Sequence, residues 1–145
     1  MNRLKRKIIH FVLLLFVVWA TYQIAWARYF YIVTAYCNCP VCINIPKYRD
    51  GYFASGKKLY WGAAAADPAV PFGAKIELVP QSPKDFLDIL FLLRGRFKYR
   101  VEDRGGKIKG RHIDLYIPKS LGGHKKAIKW GKKRMRIKIN GELAR

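Results

Sequence analysis

The sequence predicts a mainly β domain, a compact barrel with one or two short helices, preceded by an N-terminal hydrophobic helix. Three observations carry this. Short runs of β-branched and aromatic residues recur from Tyr29 onward, glycine- and proline-marked turns separate them, and residues 1–27 hold a basic and then an apolar run. The chain has 145 residues, 51% of them hydrophobic and 14% aromatic, so it can bury a core and is not a disordered segment.

The first 27 residues read as a signal peptide or a membrane anchor. Arg3, Lys5, Arg6 and Lys7 precede an apolar stretch from Ile8 to Ala20, and Ala25-Trp26-Ala27 offers small residues at the positions a signal peptidase reads. Read instead from Ile8 to Ala27, the run matches the roughly 20 residues needed to span hydrocarbon. Both readings leave the basic flank inside and export the domain, to the periplasm or the cell exterior, tethered to the membrane if the segment is retained.

Residues 28–145 form the expected barrel domain. Tyr29 to Tyr36 reads as a buried strand. Residues 37–62, with cysteines, prolines and glycines, read as a long loop. Lys75 to Val79 is a short strand. Arg96 to Glu102 alternates Phe97, Tyr99 and Val101 with charged residues, as a half-exposed strand does. Ile113 to Ile117 and Met135 to Ile139 are further strands, and Lys119 to Trp130 is a short helix ending at Gly131. Residues 81–95 are an apolar insertion with a helix start at Ser82-Pro83-Lys84-Asp85. A helix capping the core is favoured there over a lipid- or partner-facing surface.

Charge limits the partners. The chain has 29 basic and 9 acidic residues, a net charge of +20. Such a surface attracts polyanions: nucleic acid, acidic lipid or an anionic wall polymer. Export makes nucleic acid the poor choice. Against this background three acids stand out: Asp67 in AAADPAVPFGAKI, Asp103 in VEDRGGKIKG and Asp114 in RHIDLYIP. An aspartate before proline or glycine is ordinarily a turn residue. Asp114 is different, because it sits between Ile113 and Leu115 in a strand, where a lone carboxylate is costly to bury. Arg111 or Arg104 could neutralise it; otherwise it is a working acid.

The ordered series Thr34-Ala35-Tyr36, Ala66-Asp67-Pro68, Val70-Pro71-Phe72-Gly73, Glu102-Asp103-Arg104-Gly105-Gly106, Ile108-Lys109-Gly110 and Ile113-Asp114-Leu115-Tyr116 resembles the 3D domain, named for its three aspartates. Ala127 to Gly131 and the last strand fit as well, so the resemblance covers roughly residues 31–139. It implies a six-stranded double-psi β-barrel, similar to the catalytic barrel of membrane-bound lytic transglycosylase A. The implied activity is lytic cleavage of the β-1,4 bond between N-acetylmuramic acid and N-acetylglucosamine in peptidoglycan strands, without a cofactor. The alternatives are a hydrolytic muramidase and an expansin-like barrel that binds glycan without cutting it. By resemblance Asp114 is the acid/base, Asp103 and Asp67 support it, and Arg104, Gly105, Gly106, Lys109 and Tyr36 contact substrate. The chain departs from the pattern at Arg104, where a small hydroxyl residue is usual, at Ala74 in place of threonine, and in the long connector 81–95. Arg104 is expected to hold Asp103 ionised or to alter substrate fit.

Cys37, Cys39 and Cys42 lie within six residues and suit either an oxidised pair with a spare thiol or three ligands of a zinc ion, with His112 or His124 as the fourth. Export favours the oxidised pair. His124 reads as a solvated helix residue, and His112 as a surface residue on the strand face opposite Asp114. The charge predicts that binding to isolated cell-wall sacculi weakens as salt rises. Salt-insensitive binding in a co-sedimentation assay would instead point to sugar stacking on Tyr60 or Trp61.

Overall fold

The computed structural model describes residues 3–27 and 30–144 and divides the chain into two units, Met1–Tyr29 with Arg145, and Phe30–Ala144. The first unit is helix α1 (Arg3–Ala27). Its apolar side chains from Ile8 to Trp19 are exposed. Among the described residues no helix is long and apolar enough to cross a membrane, so the anchor is carried no further. The Ala25-Trp26-Ala27 cleavage reading concerns side chains outside the described residues.

The second unit holds strands β1 (Phe30–Tyr36), β2 (Ala63–Ala66), β3 (Lys75–Val79), β4 (Lys98–Asp103), β5 (His112–Tyr116), β6 (Lys133–Ile139) and β7 (Glu142–Leu143). Helices α2 (Pro83–Leu92) and α3 (Gly123–Trp130) interrupt them. The strands run in the order β1-β5-β2-β4-β3-β6-β7, and β1 also pairs with β6. Six strands therefore close on themselves and remove their open edges, with β7 appended outside the ring. Pairs β1–β5 and β2–β4 are parallel, and the other contacts are antiparallel.

Alternation sorts the side chains. Val33, Ala64, Ala66, Ile76, Leu78, Tyr99, Val101, Ile113, Leu115, Met135 and Ile137 form the barrel core. On the outer face of β1, β2 and β5, Tyr36, Ala63, Ala65 and Tyr116 gather a second cluster with Phe53 and Ile108, which the long loop covers. Within that loop, Pro46–Arg49 is a turn of 3-10 helix and Tyr52 bridges to Lys58.

The expected strands are present with shifted ends, but two were not foreseen. β2 is four alanines, a residue with little strand preference, and it is a strand because it lies between β5 and β4 with all four side chains buried. β7 returns through Asn140-Gly141, both at positive φ, as tight hairpins need. The helix expected over 119–130 is divided. A 3-10 turn covers Lys119–Leu121, Gly122 adopts φ +75°, and α3 starts after it. Trp130 on α3 donates its indole N–H to the Val33 carbonyl at 3.2 Å, fixing the helix against β1.

α2 splits the two readings of its segment. The Ser82 hydroxyl caps it by accepting from the Asp85 amide at 3.1 Å, and Pro83 occupies the first turn. Ile89, Leu92 and the following Leu93 enter the core, while Phe86, Leu87, Leu90 and Phe91 stay exposed. Lys133 reaches from β6 to Asp88 at 2.6 Å, holding the helix to the barrel. Ile89→Ala is expected to cost about 2–5 kcal/mol in chemical denaturation. Leu87→Ser and Phe91→Ser should stay within about 0.5 kcal/mol of the parent. Equal losses at the three positions would contradict this division of faces.

Candidate functional site

Register brings two of the three aspartates onto one rung. Thr34 of β1 pairs with Asp114 of β5, Asp114 with Ala65 of β2, and Ala65 with Asp103 of β4. Neighbouring strands lie about 4.8 Å apart, so one alanine strand separates the two acid-bearing backbones. Since Ile113 and Leu115 point into the core, Asp114 points to the outer face, into the buried cluster beneath the loop.

Asp114 has neither suggested arginine as a salt-bridge partner. The Thr34 hydroxyl donates to its Oδ1 at 2.7 Å. Burial pushes its carboxyl up to about 6, the Thr34 hydrogen bond opposes that rise, and the nearby Asp103 charge adds to it. The flanking Ile113 and Leu115 face the other way, into the core, so the cost of burying the carboxylate does not come from them. His112 also needs correction. Residues two apart on a strand share a face, and the Thr34 hydroxyl lies 2.8 Å from His112 Nε2 as well as contacting Asp114. Partial burial lowers the pKa of His112.

Asp103 is held from three directions. The Tyr36 hydroxyl donates to Oδ2, while the amides of Ala54 and Arg104 donate to Oδ1 at 3.0 and 2.9 Å. The phenol starts on β1 and reaches β4, three strands along, across β5 and β2. Alanines at 63 and 65 leave room for the ring, which is why β2 carries small side chains there. Burial, with the Asp103 and Asp114 charges beside it, drives the Tyr36 hydroxyl far above its ordinary pKa, so it remains a donor.

Asp67 is a staple. Its Oδ1 accepts from the Ala69 amide at 2.8 Å, closing a turn, and its Oδ2 accepts from the Gly110 amide at 2.6 Å. These two amides hold its pKa below the usual aspartate range. Gly110 takes φ +59°, a conformation that favours glycine, and thereby aims its N–H at the carboxylate. Asp67 thus joins the start of the 67–74 loop to the turn before β5.

The other expected contact residues take separate parts. The Arg104 guanidinium donates to the carbonyls of Ala66, Asp103 and Val70 at 3.3, 3.3 and 2.7 Å, and it stacks on Phe72 at 4.0 Å. It reaches Asp103 through its backbone amide and not through a salt bridge, so it organises loops instead of fixing that charge. A side chain at Gly105 would collide with Ile108 at 2.6 Å, whereas Gly106 faces open space. Lys109 is exposed beside Asp67. Tyr36 spends its hydroxyl on Asp103.

One acid was not singled out beforehand. Glu102 is fully buried, accepting from Lys57 Nζ at 2.7 Å and the Tyr60 hydroxyl at 3.0 Å. Burial would raise its pKa, but Lys57 and Tyr60 hold it below the usual glutamate range. It clips the covering loop onto β4. Alternation offered a clue, since Glu102 follows the core residue Val101 directly. Tyr60 is engaged there, and Trp61 packs edge-on against Tyr99 under the Arg96 guanidinium.

No protein-family model matches the chain, and no curated protein matches it. Among solved structures it is similar to MltA from Escherichia coli, at 23% identity and a TM-score of 0.39, over 61% of this chain and 26% of that one. E. coli MltA with bound chitohexaose matches at 23% identity and a TM-score of 0.41, with the same coverage. The chain spans about a quarter of the length of those structures.

Tyr36→Phe removes one donor to a charged acceptor and should destabilise the fold by about 1.5–3 kcal/mol. Urea unfolding checks it. An unchanged midpoint would mean that the phenol does not support Asp103.

Proposed function

We propose that this chain cleaves cell-wall glycan by general acid/base catalysis, as a peptidoglycan lytic transglycosylase of the 3D type on a double-psi barrel. The closed ring of six strands with two parallel pairs supports the fold part of this reading, and the ordered motifs around Asp67, Asp103 and Asp114 support the family part. The observation that carries the chemistry is Asp114. It is a buried carboxyl with one hydroxyl donor, a pKa pushed up to about 6 and a second acid one alanine strand away.

A group with that pKa can act as acid and then as base near neutral pH. Protonated Asp114 gives its proton to the glycosidic oxygen as the bond to the muramic C1 breaks. The electron pair leaves with that oxygen, and the sugar becomes an oxocarbenium ion. The Asp114 carboxylate then takes the proton of the muramic 6-hydroxyl as its oxygen bonds to C1, closing a 1,6-anhydro ring and restoring the protonated acid. Asp103, held by Tyr36 and two amides, is fixed in place on the same rung. Asp67 and Arg104 shape the loops that border the site. The glycan strands are the partner, and the exported side of the cell is where they are met.

The test is a digest of isolated sacculi followed by product analysis. Anhydro ends are expected; reducing ends would mean hydrolysis, and neither would mean a binder. Asp114→Asn should lower turnover by about 100- to 10,000-fold. For the parent, turnover should fall as pH rises through about 6, where the acid loses its proton.

The Asp114→Asn substitution should move stability the opposite way from turnover. The folded pKa lies above the ordinary 3.8, so the folded state favours the proton, and the parent loses stability as pH climbs from about 4 to about 6. At pH 7 Asp114→Asn should therefore be the more stable protein by about 1–3 kcal/mol, with the gap closing toward pH 4. A folded variant that still releases anhydro products would reject the assignment.

A further inference from the structure

The three thiols expected to contain an oxidised pair are all free. Cys37 and Cys42 have their sulfurs 3.7 Å apart, well beyond the roughly 2.05 Å of a disulfide bond. His124, expected to be solvated, turns Nδ1 toward them, 3.6 Å from Cys39 Sγ and 3.8 Å from Cys42 Sγ. The four ligand atoms all lie within 4.8 Å of one another.

The Cys37–Cys42 separation and the two from His124, 3.7, 3.6 and 3.8 Å, lie close to the edges of a tetrahedron around one ion. Zinc binds sulfur at about 2.3 Å and imidazole nitrogen at about 2.0–2.1 Å, which sets tetrahedral edges near 3.8 Å between sulfurs and near 3.5–3.6 Å between sulfur and nitrogen. We propose that Cys37, Cys39, Cys42 and His124 form a structural zinc site that fastens the loop after β1 to the first turn of α3.

Two further features fit this assignment. The Cys42 amide approaches Cys39 Sγ at 3.4 Å, so the loop turns a backbone donor toward a sulfur that would carry charge. Gly123, immediately before His124, lies so close to the loop that a side chain there would meet Cys37 Cβ at 2.8 Å and the Ile117 carbonyl oxygen at 2.3 Å. Its missing side chain lets the histidine come down on the thiols. Three sulfurs and one imidazole nitrogen suit zinc and exclude the oxygen-seeking magnesium and calcium. Four protein ligands leave no open position, so the ion is structural and not catalytic.

Each cysteine that binds gives up its thiol proton to solvent, and no electrons move. Three thiolates on a dication leave the site at a net charge of −1. Lys125 and Lys126, next along α3, offer counter-charge. The site also fixes the end of β1, whose Thr34 and Tyr36 hold Asp114 and Asp103.

The experiment uses the full chain purified under reducing conditions, with elemental analysis, zinc titration against a chromophoric chelator, and cobalt(II) substitution. The expected results are one zinc per chain, proton release on binding, a higher Tm with zinc, and the visible bands of tetrahedral, sulfur-bound cobalt. Cys39→Ser, Cys42→Ser and His124→Ala should each weaken zinc binding by about 100-fold or more, beyond what loss of an outer partner of a ligand typically costs. His124→Cys restores a four-ligand set and should keep the zinc, which separates ligand loss from misfolding. The proposal fails if the reduced parent holds zinc no better than a variant with all three cysteines changed to serine. It fails equally if iron occupies the site, or if the native protein carries a Cys37–Cys42 disulfide and no metal.

Discussion

Strand β1 is the constraint on which the rest of the molecule depends. It pairs with β5 in parallel and with β6 antiparallel, and the second contact turns an open sheet into a ring. Without it β1 and β6 would each present a row of unpaired backbone groups, a cost that no side-chain contact here offsets. The same seven residues also carry the polar side chains of the site. Thr34 donates to Asp114, Tyr36 donates to Asp103, and Cys37 follows at once. Barrel closure and the placement of the acids are therefore one event, and the order of the β1 end governs both.

The three aspartates show how context divides one residue type into different chemistries. Asp67 receives two backbone amides and stays charged at the surface. Asp103 receives two amides and a phenol. Asp114 receives one hydroxyl, and desolvation pushes its carboxyl up to about 6. Amides stabilise the anion and burial destabilises it, which sets Asp67 and Asp114 apart. The sequence set Asp114 apart by its apolar flanks but left Asp67 and Asp103 alike as turn acids. Strand register and donor counts separate them.

What the sequence made legible follows from where its signals are strong. Period-two runs such as Arg96 to Glu102 and Met135 to Ile139 announced strands, because alternation records burial directly. Ala63–Ala66 gave no such signal. Its strand is imposed by its neighbours, and its small side chains serve the Tyr36 ring that crosses above them. Asp114 was recognisable as anomalous in an apolar strand, yet its partner Thr34 lies 80 residues away and only pairing could reveal it. His112 was misplaced by an error of alternation, not by a missing signal. Arg104 beside Asp103 suggested a charge pair, but the guanidinium found three carbonyls and an aromatic face instead. His124 was ambiguous because 82 residues separate it from Cys42, and no local pattern encodes that meeting.

The strongly basic composition and the acid site are not in conflict. Three of the nine acids, Glu102, Asp85 and Asp88, pair with lysines, and the Lys57–Glu102 and Lys133 contacts bind a loop and a helix to the barrel. Among the described residues, by contrast, no lysine or arginine forms a salt bridge with Asp114. A salt bridge at that position would favour the anion and remove the proton that an acid catalyst must hold. The Thr34 hydroxyl orients the carboxyl through one hydrogen bond while leaving its proton affinity high.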